Sequence, residues 1–271
     1  MSRLAIIAGS GDLPAALVAA LAGGHSPGPP MICALDGFIP SGVIVDCVFR
    51  IERLALFLRH LQDERVGRVV FAGAVARPRL DPSLFDPQTA QMVPRLIAAM
   101  QAGDDATLRE VLAIFAEAEF EILGVADIAP DLLPGTGVLA GAVLPVHETD
   151  AARAALIAQA LGAVDVGQAC VVANGLCLGV ETLSGTDALL ANVATVPAAL
   201  RPHSTGGLLF KAAKPGQDRR IDLPTIGVKT VRAAAVAGLD GVAFAAGEVI
   251  CLDLPAMQAE ANAAGLFLWA R

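Results

Sequence analysis

Short apolar runs alternate with helical periods throughout the first 125 residues, and this alternation constrains the fold more than any other feature of the chain. LAIIA at 4–8 ends in the turn GSGDLP, after which AALVAALAGG reads as a helix closed by glycines. MICAL (31–35) and VIVDCVFRI (43–51) follow as further strands, LALFLRHLQDE (54–64) carries helical spacing, and VGRVVFAG (66–73) is the clearest strand. Two helices, 88–100 and 105–119, and the strand EILGV (121–125) complete the series. Strands without polar alternation are buried on both faces, which a parallel sheet covered by helices on each side achieves. Residues 1–126 are therefore expected to form a Rossmann-like parallel α/β domain.

From Asp127 the texture changes to IAPDLLPGTGVLAGAVLPV, with three prolines, three glycines and no helical period, so 127–148 reads as a linker. A second α/β domain is expected over 149–271. It opens at Thr149-Asp150, residue types that suit the N-cap of the Ala-rich helix 151–162. ACVVANGLCLGVET (169–182) has the Asn-Gly of a tight hairpin at its centre. A helix (187–200), a strand GGLLF (206–210), further apolar runs at 231–239 and 242–252 and a final helix near 255–265 follow.

Composition narrows the function classes. The chain is 55% hydrophobic and 17% charged, which rules out a disordered protein. A net charge of −8, no Tyr and a single Trp argue against nucleic acid as a partner. Mean hydropathy of +0.63 invites a membrane reading. With His counted as a break, the longest uncharged stretches, 132–146 and 166–180, fall short of the roughly 18 apolar residues a span needs and are broken by Gly, Pro, Gln or Asn. Met1-Ser2-Arg3 leads straight into the first strand without a leader-like apolar region, so a cytoplasmic location is expected. The five cysteines follow no metal or disulfide spacing and are expected to be buried, reduced thiols.

Chemistry concentrates in four places. At GSGDLP, the turn of Gly9, Gly11 and Asp12 is expected to leave backbone N–H groups at a helix N-terminus for a polar ligand. Pro14 replaces the third glycine of the dinucleotide fingerprint and Asp12 would repel a pyrophosphate, so a ribose or base suits the turn better than NAD; a purely structural tight turn is the equal alternative. The loop from Gly73 carries Arg77 and Arg79 at the carboxyl end of a central strand, where open α/β sheets bind ligands. In the hairpin region, Gln168, Asn174, Glu181, Thr182, Ser184, Thr186 and Asp187 punctuate apolar sequence, with helix capping the plain reading of Thr186 and Asp187.

The fourth place is KAAKPGQDRRIDLPTIGVKT (211–230), which contains every lysine of the chain: Lys211, Lys214 and Lys229. With Arg219 and Arg220 against Asp218 and Asp222 the segment is locally cationic in an acidic protein, as a small polyanion such as a diphosphate demands. Carboxylates weaken anion binding, and make sense if one holds a divalent metal or activates water. The four histidines lack metal-ligand spacing, and no serine or cysteine nucleophile signature is present.

IAGSGDLP, FAGAVARP (71–78), AGDDATLREVLAIFAEAEFEILG (102–124), DVGQACVVANG (165–175), VETLSGTDALL (180–190) and KAAKPGQDRRIDLPTIG (211–227) resemble, in order, the motifs of the LpxI-type UDP-2,3-diacylglucosamine pyrophosphatases of lipid A biosynthesis. The resemblance spans nearly the whole chain. It implies an N-terminal Rossmann-like domain and a C-terminal domain of the family's own type, with the substrate held between them. It also implies hydrolysis of UDP-2,3-diacylglucosamine to UMP and 2,3-diacylglucosamine 1-phosphate by water, with Mg2+, Mn2+ or Co2+ as cofactor. The family's essential aspartate falls on Asp222, the expected catalytic residue and metal ligand, with Glu181 or else Asp218 as a second metal ligand. Gly9, Gly11, Asp12, Gly73, Gln168, Thr182, Lys211, Lys214 and Lys229 are expected to contact substrate. A lysine is expected after FAG, where this chain has Ala74. The acylated substrate further implies transient contact with the inner membrane surface, and a homodimer is the default expectation for oligomeric state. The alternative is a lipid-nucleotide or nucleotide-sugar binding protein without catalysis.

Overall fold

A computed structural model describes residues 2–23, 28–76, 80–202 and 205–271. The chain forms two compact units, Met1–Pro130 together with Asp218–Asp222, and Asp131–Gln217 together with Leu223–Arg271.

The first unit runs β1 (Arg3–Ala8), α1 (Leu13–Gly23), β2 (Met31–Leu35), β3 (Cys47–Phe49), α2 (Leu54–Asp63), β4 (Val66–Ala72), α3 (Thr89–Ala102), α4 (Asp104–Glu117), β5 (Glu121–Leu123) and α5 (Val125–Ile128). Its sheet has the order β3-β2-β1-β4-β5, every neighbouring pair parallel. That order reverses direction between β1 and β4, the switch point of a doubly wound sheet. Helix α2 shows how the sequence drives the packing: Leu54, Phe57, Leu58 and Leu61, at helical spacing, are all buried. Phe57 stacks on Phe49 at 3.9 Å, while Phe71 meets Phe115 edge-on at 5.1 Å. Each such burial contributes about 1.5–3 kcal/mol. The strand read over 43–51 is shorter, Cys47–Phe49, because the Asp46 carboxylate takes the ladder donor Ile32 N–H at 2.7 Å.

The second unit runs β6 (Gly137–Ala140), α6 (Pro145–Ala163), β7 (Ala169–Ala173), β8 (Leu176–Val180), α7 (Gly185–Ala194), β9 (Leu208–Lys211), β10 (Thr225–Gly227), α8 (Val228–Val236), β11 (Gly241–Phe244), β12 (Ile250–Leu252), α9 (Leu254–Ala264) and β13 (Phe267–Ala270). Its main sheet has the order β6-β13-β11-β9-β7-β8, parallel at its centre and antiparallel towards both edges. β10 and β12 form a small parallel pair. The stretch read as a linker contributes β6, which pairs with β13, and the first turn of α6.

Thr149-Asp150 does not cap a helix. Helix α6 begins at Pro145, whose ring pre-sets the first helical turn, and Asp150 lies inside it, fully buried. The Asp150 carboxylate instead accepts the N–H groups of Asn174 (2.8 Å) and Gly175 (2.6 Å). These residues turn the β7–β8 hairpin with positive φ at both, as Asn-Gly permits. At the same end of the sheet, buried His147 accepts from Leu144 N–H and donates to Asp240, whose Oδ2 also takes Gly206 N–H and Gly207 N–H. This network ties the start of α6 to the amino ends of β9 and β11.

Candidate functional site

Register sets the centre of the site. β7 runs antiparallel to both β8 and β9, placing Ala169 opposite Lys211 and Cys170 opposite Val180. Gln168, Glu181 and Lys211 therefore meet at one end of the sheet, the carboxyl end of β9. Backbone bonds from Ala212 N–H to Gln168 O (3.1 Å) and from Glu181 N–H to Ala169 O (2.8 Å) pin the three loops together.

Lys211 and Glu181 are each only 6% exposed. The Lys211 ammonium donates to Thr186 Oγ1 (2.8 Å) and the Thr225 carbonyl (3.2 Å), and lies 4.0 Å from Glu181 Oε1. Thr186 in turn donates to Glu181 Oε1 at 2.5 Å, and Gln168 N–H donates to Oε2 at 2.9 Å. A buried ammonium is costly unless paired and hydrogen-bonded, and here both conditions hold. The result is a positive charge fixed in one place. Beside it, Gln168 Oε1 is buried without a hydrogen-bond partner among the described residues. Thr186, read from sequence as a helix cap, is the link between cation and carboxylate. Thr182 is exposed, sharing a hydrogen bond with Ser184.

The other two lysines are held differently. Lys214 pairs with Asp165 at 2.6 Å, and its backbone N–H donates to Gln217 Oε1 at 2.9 Å. Its loop packs so closely on α6 that a Cβ on Gly162 would stand 2.8 Å from Pro215. Lys229 is exposed in the first turn of α8, where a cation opposes the helix dipole. Helix stability does not account for it.

Asp218–Asp222 belong with the first unit. Arg220 grips Asp218 with Nε (3.0 Å) and a terminal nitrogen (2.6 Å), and these hydrogen bonds hold the Asp218 carboxyl below its ordinary value. Ile221 packs on the first unit's core, while the Ile221 and Asp222 N–H groups donate to the Asp218 carbonyl at 3.2 and 3.3 Å. Asp222 is thus half-buried on a tight, anchored turn.

At the switch point the glycine turn is laced to its neighbours. Gly9 N–H donates to Ala72 O at 2.8 Å, and Ser10 and Ala74 exchange both backbone bonds at 2.9 Å. Ser41 N–H donates to Gly11 O at 3.1 Å. A Cβ on Gly9 would stand 2.5 Å from Ala74 O, and one on Gly73 would stand 2.7 Å from Gly9 O. The N–H groups of Gly9 and Ser10, expected to be open to ligand, are thus used within the fold, and close approach of two loops explains both glycines. Asp12 remains exposed at the turn. Arg77 and Arg79 lie outside the described residues. Asp36, which directly follows β2 and pairs with Arg50 at 2.7 Å, was not singled out in the sequence reading. An acidic residue after the second strand of a βαβ unit was the available signal. It lines a depression of about 210 Å³ with Glu52 and Asp81.

No group of three His, Cys, Asp or Glu side chains is arranged to hold a metal among the described residues. Mg2+ is commonly bound by one or two carboxylates plus substrate phosphates, so the oxygen donor Asp222 on its anchored turn fits that cation. Both oxygens of Glu181 accept hydrogen bonds, from Thr186 and from the Gln168 N–H.

A parallel doubly wound sheet in one unit and a mixed sheet carrying a buried lysine–carboxylate cluster at a strand end in the other define a two-domain α/β protein. The LpxI N-terminal domain matches residues 3–132 and the LpxI C-terminal domain matches 136–269. Over 212 residues the chain is 42% identical to the "UDP-2,3-diacylglucosamine pyrophosphatase LpxI" of Caulobacter vibrioides, covering 77% of this chain and 75% of that protein. The chain belongs to the LpxI family.

Proposed function

We propose that this protein is a hydrolase that splits the diphosphate of UDP-2,3-diacylglucosamine, releasing UMP and 2,3-diacylglucosamine 1-phosphate, in lipid A biosynthesis. The observation that carries the reading is family membership across both halves, with a relative of that name at 42% identity.

The chain's own residues suit the chemistry. Lys211, held by Thr186, Glu181 and the Thr225 carbonyl, supplies a pre-oriented positive charge for a phosphate that gains negative charge as its bond to the leaving group breaks. Lys214 and Lys229 add cationic character around the same segment. Gln168, tied to Glu181 and Ala212 at the same strand end, and exposed Thr182 would line the substrate. Asp12, beside the turn of Gly9, Gly11 and Gly73, suits the uridine hydroxyls. Asp222 would hold a divalent cation, Mg2+ or a similar ion, which when bound neutralises phosphate charge and favours attack by water. No serine or cysteine nucleophile is needed.

No helix among the described residues is long and apolar enough to cross a membrane. Leu183 (97% exposed) and Val164 (70% exposed) flank the loops that carry Glu181 and Asp165, and apolar exposure there supports transient contact with the inner membrane surface from the cytoplasmic side.

The test is release of UMP from UDP-2,3-diacylglucosamine by purified protein, with Mg2+ and with EDTA. Release that EDTA stops and Mg2+ restores is expected. Tight binding of the lipid nucleotide without release under any metal condition would make the protein a carrier.

A further inference from the structure

We propose that Cys33 and Cys47 form a reversible oxidation site in the first unit, closing a cross-strand disulfide when the protein meets a hydroperoxide. The two residues are direct partners in the parallel pairing of β2 with β3. In-register neighbours on adjacent strands lie about 4.8 Å apart, within the Cα separation that disulfides span. Both side chains point to the same face, since both pack in the same core cluster with Phe57 and Leu58. Each thiol shifts the other's protonation, one up and one down, as neighbouring sulfurs do.

The pair is asymmetric, as stepwise oxidation requires. Cys33 is fully buried on an inner strand, whereas Cys47 is half-buried on the edge strand β3, open to a small oxidant. Contact with Cys33 lowers the Cys47 thiol below its ordinary value, against the opposing effects of burial and of Asp46. Contact with Cys47, together with burial, pushes the Cys33 thiol up, so its proton leaves only as the sulfur attacks. The Cys47 thiolate attacks the peroxide O–O bond, forming a sulfenic acid and releasing hydroxide. The Cys33 sulfur then attacks the sulfenic sulfur, the S–S bond forms, and water leaves with the Cys33 proton. In sum two thiols and one hydrogen peroxide give one disulfide and two waters. The exposed Cys177 stands opposite Val172, not opposite a cysteine, and serves as an internal reference.

The experiment treats the reduced full-length protein with hydrogen peroxide, removes the oxidant, alkylates in denaturant and maps the cysteines by mass spectrometry. A linked Cys33–Cys47 peptide pair is expected, with the free-thiol count falling by two beyond any loss at Cys177 and returning on treatment with dithiothreitol. Cys47→Ser should leave Cys33 fully alkylated after oxidation. Recovery of Cys33 and Cys47 as alkylated thiols at doses that oxidise Cys177 would overturn the proposal. So would Cys47 ending as a sulfinic acid with Cys33 still free. Because the wild-type map alone decides between these outcomes, a poorly folding variant does not protect the idea.

Discussion

The ammonium of Lys211 stands 4.0 Å from Oε1 of Glu181, with the hydroxyl of Thr186 bonded to both. Removing the carboxylate takes the Glu181 charge away from a buried cation. Glu181→Ala is expected to cost roughly 3–5 kcal/mol of stability, as breaking one side of a buried pair does. Replacing both members with apolar residues should cost much less than the sum of the single changes. Denaturant midpoints of the two single variants and the double variant measure this. Additivity would show that the pair is not coupled.

Gly9 and Gly73 hold two loops at van der Waals distance, and Gly11 does not. Gly9→Ala places Cβ 2.5 Å from Ala74 O, and Gly73→Ala adds a φ of +101° to a contact at 2.7 Å. Each is expected to cost about 1–3 kcal/mol or more, because the neighbour is backbone and cannot turn away. Gly11→Ala meets open space and has only its positive φ to relieve, a cost of about 1 kcal/mol. Thermal unfolding should show Gly11→Ala as the mildest of the three.

The Asp218 carboxyl lies below its ordinary value chiefly through the Arg220 hydrogen bonds. A depressed folded value means that its contribution is present above the unfolded carboxylate range and is lost as pH falls through the folded value. Arg220→Ala should therefore lower stability at neutral pH and match wild type at strongly acidic pH, where Asp218 is protonated in both. A constant difference at all pH values would assign the loss to packing.

Asp150 secures the β7–β8 hairpin rather than a helix end. Asp150→Ala removes two charge-assisted backbone bonds, worth about 1.5–3 kcal/mol each to a buried group, and a loss of at least that size is expected. Thr149→Ala, exposed and mid-helix, should stay within about 0.5 kcal/mol. Equal losses at both positions would restore the N-cap reading.

Local patterns carried much of this fold. The apolar runs that became β1, β2 and β4, the period of α2 and the Asn-Gly hairpin were all readable because each depends on residues close in sequence. β6 and β13 were not, since each is a four-residue strand that exists through pairing with the other, more than a hundred residues away. Asp150 was misplaced for the same reason: its partners are 24 and 25 residues on. Within the site, the lysine segment was visible as charge. That Lys211 would be buried against Glu181 and Thr186 followed from antiparallel register, which residue types alone do not specify.

The decisive measurement compares wild type and Asp222→Asn for hydrolysis and for binding of UDP-2,3-diacylglucosamine with Mg2+ present. UMP release should fall by roughly 10²–10⁴-fold or more, the scale of losing a group that positions and activates the attacking water, while the lipid nucleotide still binds. Asp222→Asn turning over at the wild-type rate would contradict the assignment of the chemistry to this aspartate.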